Sequence, residues 1–198
     1  MTRESLEARA EKTLRDTETF RVPVAIDRVA QRLNLTMEAG ALGDNVSGML
    51  IVRGERGAIG YNSAHARVRQ RFTIAHEIGH FLLYAKSTGK ARLFIDGYIS
   101  FRGDATSSTK RERDEVEASQ LGAALLMPRS LLKKELLSND LNLDDEESIE
   151  FFAKRFQVSS PAMANRLLKL NVLQKCSVPL SLAANPNIIG PDAPICNA

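Results

Sequence analysis

Apolar positions in the segment VPVAIDRVAQRLNL, residues 22–35, recur at the three- and four-residue spacing of an amphipathic helix. Pro23 stands at the entrance to this segment, a position that proline favours at helix starts. The preceding residues 1–16 are charged and helix-like, and they lack the apolar core of a signal peptide. The pattern therefore predicts a core helix behind a charged N-terminal segment.

Two short runs rich in β-branched and aromatic residues follow, on either side of the turn-rich RGERG. They are SGMLIV at 47–52 and GAIGYN at 57–62, and together they predict a β-hairpin. The segment ARLFIDGYISF at 91–101 predicts a second hairpin around Asp96 and Gly97.

The rest of the chain is mainly helical in pattern. A long helix is predicted from about Lys110 to Met127, where Pro128 marks its end, and shorter helices are predicted around 131–137, 148–156 and 160–170. The last twenty or so residues hold four of the seven prolines, which is typical of a loose tail. This order predicts an α+β fold with three parts: a main domain over 1–138, a small helical unit over 139–175 and a Pro-rich flexible tail over 176–198.

Composition narrows the class of protein. A chain of 198 residues suits one compact domain with a small appendage. Its two cysteines, Cys176 and Cys196, lie far from other candidate ligands, which fits a reducing cytosol and argues against a structural zinc site. No apolar run approaches the length of a membrane span, and the net charge of +3 is too mild to indicate nucleic acid by itself. We therefore expect a cytoplasmic protein without a membrane partner.

The segment RFTIAHEIGHFLLY, residues 71–84, carries two of the three histidines of the chain. On a helix, His76 and His80 lie on one face and can direct two imidazoles at a single ion, while Glu77 is rotated by about 100°. Zinc lowers the pKa of a bound water to about 7, and Glu77 would then act as the general base. The structural alternative is a buried helix whose histidines are hydrogen-bonded. We favour the metal because one ion with its water satisfies all three polar side chains.

A catalytic zinc needs a third protein ligand. Glu117 lies on the apolar stripe of the following helix, at helical spacing from Leu121, Ala124 and Leu125, and is the preferred candidate. Asp114 is the runner-up, because it shares part of that stripe. Glu112 and Glu115 are predicted to face away from the core, and His65 in the preceding loop is less favoured. The small residues of this helix, together with Gly79, indicate that the two helices approach closely.

These segments, RFTIAHEIGHFLLY and EVEASQLGAALLMP, resemble the ImmA/IrrE family of bacterial and phage metallopeptidases over roughly residues 23–173. The resemblance implies a zincin-like metallopeptidase domain, accompanied by a helix-turn-helix-like helical unit. The resemblance implies one Zn²⁺ per chain, with other divalent metals left open. It agrees with the residues chosen from the spacing, with His76, His80 and Glu117 as metal ligands and Glu77 as catalytic base.

The chain departs from the family pattern at three positions. Ser119 stands where asparagine is common, Leu121 replaces an aromatic residue, and Tyr84 stands where many members carry a histidine. Tyr84 is a candidate to stabilise the transition state, with a packing role as the alternative.

The resemblance also implies a protein substrate, typically an Xre-type helix-turn-helix transcriptional repressor whose cleavage relieves repression in a stress response. The alternative is a non-proteolytic regulatory or toxin-like partner of an Xre-type antitoxin. The strands of the first predicted hairpin are candidates to bind an extended substrate segment by strand addition. The oligomeric state stays open.

The stretch IEFFAKRFQVSSPAMANRLLKLNVL has the sequence shape of a helix-turn-helix. If it bound DNA, phosphates would be contacted by Lys154, Arg155, Arg166 and Lys169, and a base edge by Asn165. A packing role is favoured over DNA binding, because a single unit on a mildly basic chain gives weak electrostatic affinity.

Overall fold

The computed structural model describes residues 2–43, 45–84, 92–97, 108–139 and 145–172. The chain divides into two compact units, Met1–Pro128 and Arg129–Ala198. The sequence predicts a domain boundary at residue 138, and that division stays a prediction. None of the helices in the described residues is both long and apolar enough to cross a bilayer.

Two helices open the first unit. Helix α1, Arg3–Asp16, is capped by Thr2, whose side-chain oxygen accepts a hydrogen bond from the amide of Ser5. Helix α2, Ile26–Arg32, confirms the helix predicted from the apolar spacing. The buried side chains of α1 lie at intervals of four residues, namely Leu6, Ala10 and Leu14. The charged N-terminal segment therefore contributes to the core.

A four-stranded sheet follows, in the order β1-β3-β2-β4. The strands are β1 Leu35–Gly40, β2 Val46–Arg53, β3 Arg56–Asn62 and β4 Arg92–Gly97. Strands β2 and β3 pair antiparallel, which confirms the first hairpin, and β1 pairs parallel to β3. Strand β4 pairs antiparallel to β2 through Asp96 and Gly97, so these residues belong to a strand and not to the predicted turn. The remainder of the second predicted hairpin lies outside the described residues.

Helices α3, Arg67–Tyr84, and α4, Ser108–Leu126, form the central pair of the unit. A Cβ added at Gly79 of α3 would stand 2.5 Å from the carbonyl oxygen of Ala118, and one added at Gly122 of α4 would stand 3.0 Å from the amide nitrogen of His76. The predicted close approach of the two helices is thus confirmed, since the backbones meet where side chains are absent.

Contacts with the first two helices fix the position of this pair. Helix α4 packs against α1, and the Arg9 guanidinium of α1 donates to the Leu82 carbonyl near the end of α3. Near the start of α3, the buried Arg71 guanidinium donates to the Val24 carbonyl at 2.9 Å. Burial lowers the pKa of Arg71, an effect that Asp27 opposes. Helix α3 is therefore held at both of its ends.

The second unit contains α5 Arg129–Ser138, α6 Glu146–Phe156 and α7 Ser160–Lys169. Helices α6 and α7 pack together and enclose a small apolar core of Ile149, Phe152, Phe156, Met163 and Leu167. The chain turns between them at Gln157, which has a left-handed conformation, and Ser159 caps α7. That this pair is a helix-turn-helix of the DNA-binding kind stays a prediction, and the predicted tail over 176–198 lies outside the described residues.

Candidate metal centre

Helix α3 carries His76 and His80 on the face that meets α4. Both are buried, with exposed fractions of 4% and 2%. Their rings are nearly perpendicular, at 87°, with centroids 4.6 Å apart, and their Nε2 atoms are 3.0 Å apart. The four-residue spacing predicted from the sequence therefore does bring the two imidazoles to one point.

Glu115 of α4 completes this group. Its Oε2 lies 3.2 Å from the Nε2 of His76 and 3.3 Å from the Nε2 of His80. These three residues form a group of potential metal ligands within the described part of the chain. Two helices thus contribute three donor atoms, which stand at the corners of a nearly regular triangle.

The dimensions of this triangle fit a metal ion. Zinc binds imidazole nitrogen and carboxylate oxygen at about 2.0–2.1 Å in tetrahedral geometry, which separates neighbouring ligand atoms by about 3.3–3.4 Å. The observed edges are 3.0, 3.2 and 3.3 Å. Two histidines and a glutamate also form a ligand set typical of catalytic zinc, in which a fourth position stays open. The Glu115 side chain is 39% exposed, so solvent reaches the group from its side.

The charge state of Glu115 suits a ligand. Burial raises the pKa of its carboxyl, but the hydrogen bonds and charges of His76 and His80 outweigh burial and hold the pKa well below its usual range. The carboxylate is therefore ionised at neutral pH, as metal coordination requires.

The position of Glu115 corrects two assignments made from the sequence. Glu115 was expected to face away, and Glu117 was expected to be the third ligand. The group of donor atoms contains Glu115 and not Glu117, whose carboxylate lies 3.6 Å from the Arg113 guanidinium. The error has a physical reason, because the large apolar side chains of α4 mark its most buried face, and that face is not the one that meets the histidines.

The residues of α4 that meet α3 are small. We call Glu115, Ala118, Ser119 and Gly122 the small-residue stripe, since they fall at i, i+3, i+4 and i+7 and share one helix face. Contacts with Gly79 and His76 show that this stripe faces α3. The signal was present in the sequence, because the small residues already indicated the close approach. Glu115 is the carboxylate in register with them.

Ser119 supports the first histidine. Its hydroxyl oxygen lies 3.1 Å from Nδ1 of His76, the ring nitrogen that does not point at the donor triangle. A hydrogen bond at this nitrogen fixes the orientation of a ligating imidazole. Ser119 therefore holds the His76 ring in place through a polar contact.

Glu77 lies on a different face of α3 and is fully buried. Its carboxylate is directed toward β2, where a Cβ added at Gly48 would stand 3.2 Å from Oε1. It is not in the donor group that the described residues form. Glu77 therefore stands next in sequence to the donor His76 without being part of the donor triangle.

Three other candidates are placed as follows. His65 precedes α3, and its carbonyl accepts a hydrogen bond from the Gln70 side chain. Asp114 is half-buried on α4 and, like His65, is absent from the donor group of the described residues. Tyr84 is the last residue of α3, and its side chain lies outside the described part of the structure.

The residues proposed for DNA contact differ in their exposure. Arg155 donates to Glu135 through both Nε and Nη2, at 2.9 and 3.3 Å. Arg166 is buried, with an exposed fraction of 5%, while Lys169 is exposed and Asn165 half-buried. Phosphate contacts need accessible charges, which the buried Arg166 does not offer; DNA binding by this unit stays a prediction.

Comparison with known families agrees with the site. Residues 32–168 match the Peptidase M78 family, described as the IrrE N-terminal-like domain. The chain belongs to the M78 peptidase family. The family confirms the resemblance found in the sequence and implies a metallopeptidase, and hence a metal; the mixed helix and sheet fold fits a zincin-like domain. No curated protein matches the chain significantly.

The M78 match covers α3 and α4 completely. It begins at residue 32, so α1 and nearly all of α2 lie before it. The core contacts that α1 makes with α4 are therefore an addition to the matched domain.

Proposed function

We propose that this M78 protein is a zinc-dependent endopeptidase in which His76, His80 and Glu115 hold the metal. The observation that carries the proposal is the donor triangle, whose edges of 3.0–3.3 Å agree with the spacing that zinc imposes. Three ionisable side chains from two helices meet at one partly accessible point in a domain of a peptidase family.

The chemistry divides between the metal and the chain. Bound zinc would supply a Lewis acid that polarises the scissile carbonyl and acidifies the attacking water. Glu77 accepts the proton that the water loses and delivers it to the amine nitrogen as the peptide bond breaks. Its fully buried position keeps bulk water away from this carboxylate, and Ser119 keeps the His76 ring oriented.

An extended substrate segment has one well-placed docking edge. Strands β2 and β3 are each paired on both sides, so the hairpin expected to bind substrate is interior to the described sheet. Strand β4 lies at an edge of that sheet, and its Asp96 pairs with Gly48, the residue against which Glu77 packs. Neighbouring strands are about 4.8 Å apart, so the β4 backbone lies close to Gly48 and therefore close to the Glu77 carboxylate. We propose that substrate adds to the outer edge of β4, because this edge runs close to the base.

The proposed substrate is an Xre-type helix-turn-helix repressor in the cytoplasm, cleaved in a segment that can become extended. Strand addition supports a segment of this kind, because backbone pairing requires the substrate to unfold locally. Cleavage would relieve repression in a stress response.

The test takes the product of the adjacent reading frame as the candidate repressor and incubates it with zinc-loaded wild type and three variants. Glu77→Gln should retain zinc and lose cleavage, Glu115→Gln should lose zinc and cleavage, and Glu117→Gln should keep both. Zinc is measured by competition with a chromogenic chelator and cleavage by mass spectrometry of the fragments. Undiminished cleavage by Glu77→Gln would refute the mechanism. A stable complex with an intact repressor would instead support the non-proteolytic, antitoxin-binding role.

A further inference from the structure

One face of α3 packs against the beginning of β2. Arg69, Thr73 and Glu77 fall at i, i+4 and i+8, so they form a single stripe along the helix. Arg69 donates to the Ser47 hydroxyl at 3.0 Å, and both Thr73 and Glu77 pack against Gly48. Thr73 and Glu77 thus contact β2, whereas His76 and His80 direct their Nε2 atoms at Glu115 of α4.

Strand β2 is irregular at the point of contact. Its pairing with β4 runs from Val46 opposite Gly97 to Gly48 opposite Asp96, so Ser47 is an extra residue. Such a bulge bends a strand and redirects the residues beside it. The Asn62 side chain donates to the Val46 carbonyl at 3.1 Å and the Arg69 side chain binds Ser47, so both residues preceding Gly48 are held.

No side chain fits at Gly48. A Cβ there would stand 2.3 Å from Cγ2 of Thr73, and 3.2 Å from both Oε1 of Glu77 and the carbonyl oxygen of Gly60. The first distance is a clash, and the second is a tight contact. The Glu77 carboxylate therefore packs directly against the β2 backbone at Gly48.

We propose that Gly48, presented by the bulge in β2, is a positioning residue that sets the location of the Glu77 carboxylate. The inference rests on the proposed function in so far as Glu77 is the base. A proton acceptor must stand within hydrogen-bond reach of the attacking water, and misplacement by about 1 Å costs about a hundredfold in rate. A displacement of a few tenths of an ångström should therefore lower kcat by a factor of several to about ten.

The chain offers a compensating substitution that separates positioning from packing. Thr73→Ser removes Cγ2, the atom that a Cβ at Gly48 would meet at 2.3 Å, and leaves Glu77 in place. Gly48→Ala alone should lower both stability and kcat. In the double variant Gly48→Ala/Thr73→Ser, most of the lost stability should return, since only the 3.2 Å contacts with Glu77 and the Gly60 carbonyl remain. The contact with Glu77 remains in that variant, so kcat should stay reduced.

The kcat comparison has a control variant, Gly60→Ala, and a control measurement, the zinc affinity. Gly60→Ala on the adjacent strand introduces a Cβ that meets the flexible Met49 side chain, at 3.0 Å from its Cγ, and should leave kcat unchanged. Zinc affinity should be the same in all these variants, because none of the substituted residues belongs to the donor triangle.

The experiment measures urea stability, zinc affinity, and kcat and KM on the repressor that the wild type cleaves. It also records the carboxyl ¹³C shift of Glu77 at fixed pH in the zinc-loaded protein, assigned by its absence in Glu77→Gln. We expect that shift to move in the double variant and not in Gly60→Ala, with KM unchanged. A wild-type kcat together with an unmoved shift in the double variant would overturn the inference. If the wild type cleaves no repressor, the proposed function fails, and the shift still decides the role of Gly48.

Discussion

Replacing Gly79 by alanine is expected to separate the two helices that carry the metal ligands. The new Cβ would stand 2.5 Å from the carbonyl oxygen of Ala118 and 3.1 Å from the carbonyl carbon and Cα of the same residue. A comfortable carbon-to-oxygen contact is about 3.3 Å, so α4 must withdraw by about 0.8 Å. No rotamer change can relieve the clash, because every atom involved belongs to the backbone or is the Cβ itself.

The energetic sign of this change depends on two opposing effects. Alanine in place of glycine favours an exposed helix by about 1 kcal/mol. Overpacking of a close interface costs about 1–3 kcal/mol, and backbone contact places Gly79→Ala at the upper end. We therefore expect the free energy of unfolding to fall by about 2 kcal/mol. Metal geometry tolerates about 0.2 Å, so withdrawal of Glu115 with α4 should also weaken zinc binding by at least about tenfold.

Urea unfolding of the metal-free protein and chelator competition test these values. Gly122→Ala serves as an intermediate case, since its Cβ would stand 3.0 Å from Ala75 and His76 backbone atoms, and Gly40→Ala as a control, with its nearest contact at 3.9 Å. The expected order of destabilisation is Gly79→Ala, then Gly122→Ala, then Gly40→Ala, the last within about 0.5 kcal/mol of wild type. A Gly79→Ala protein as stable as wild type would refute the close backbone packing.

Three further changes test other contacts of the same unit. Ser119→Ala removes the hydrogen bond to His76 and should weaken zinc binding by about 10–100-fold in chelator competition, while Ser119→Asn should retain affinity. Because the pKa of Glu115 is depressed in the fold, its ionised form stabilises the metal-free protein above the unfolded value near 4.5 and loses this effect as pH falls. Glu115→Gln should thus destabilise more at pH 5 than at pH 3 in urea titrations, and an equal effect would contradict the shift. Leu14→Ala should cost about 2–5 kcal/mol although α1 lies outside the family match, and a loss below 1 kcal/mol would show that α1 is dispensable.

Elements encoded by neighbouring residues were predictable from the sequence. The hairpin β2–β3 depends on two apolar runs and the turn between them, and α3 depends on a spacing that repeats within the helix. Strand β1 was missed because Leu35 is its only buried residue and its partner β3 lies about twenty residues further along the chain. An edge strand with a single inward side chain leaves almost no periodic signal, since its position is set by pairing across the sheet.

The third donor, Glu115, shows a different limit of sequence reasoning. The small-residue stripe was visible in the sequence, but the carboxylate was chosen by its expected burial, which was the wrong criterion. The Glu117 side chain is only 14% exposed, whereas that of Glu115 is 39% exposed, so the apolar stripe correctly identified the more buried carboxylate. A catalytic metal must keep one position open to water and substrate, which places at least one of its ligands at the margin of the interface. Glu115 lies on the small-residue stripe, one turn before Ala118, and from there its carboxylate reaches both imidazoles. For a site shared by two helices, the residues that permit their contact are therefore a better guide to the ligand than the residues that fill the core.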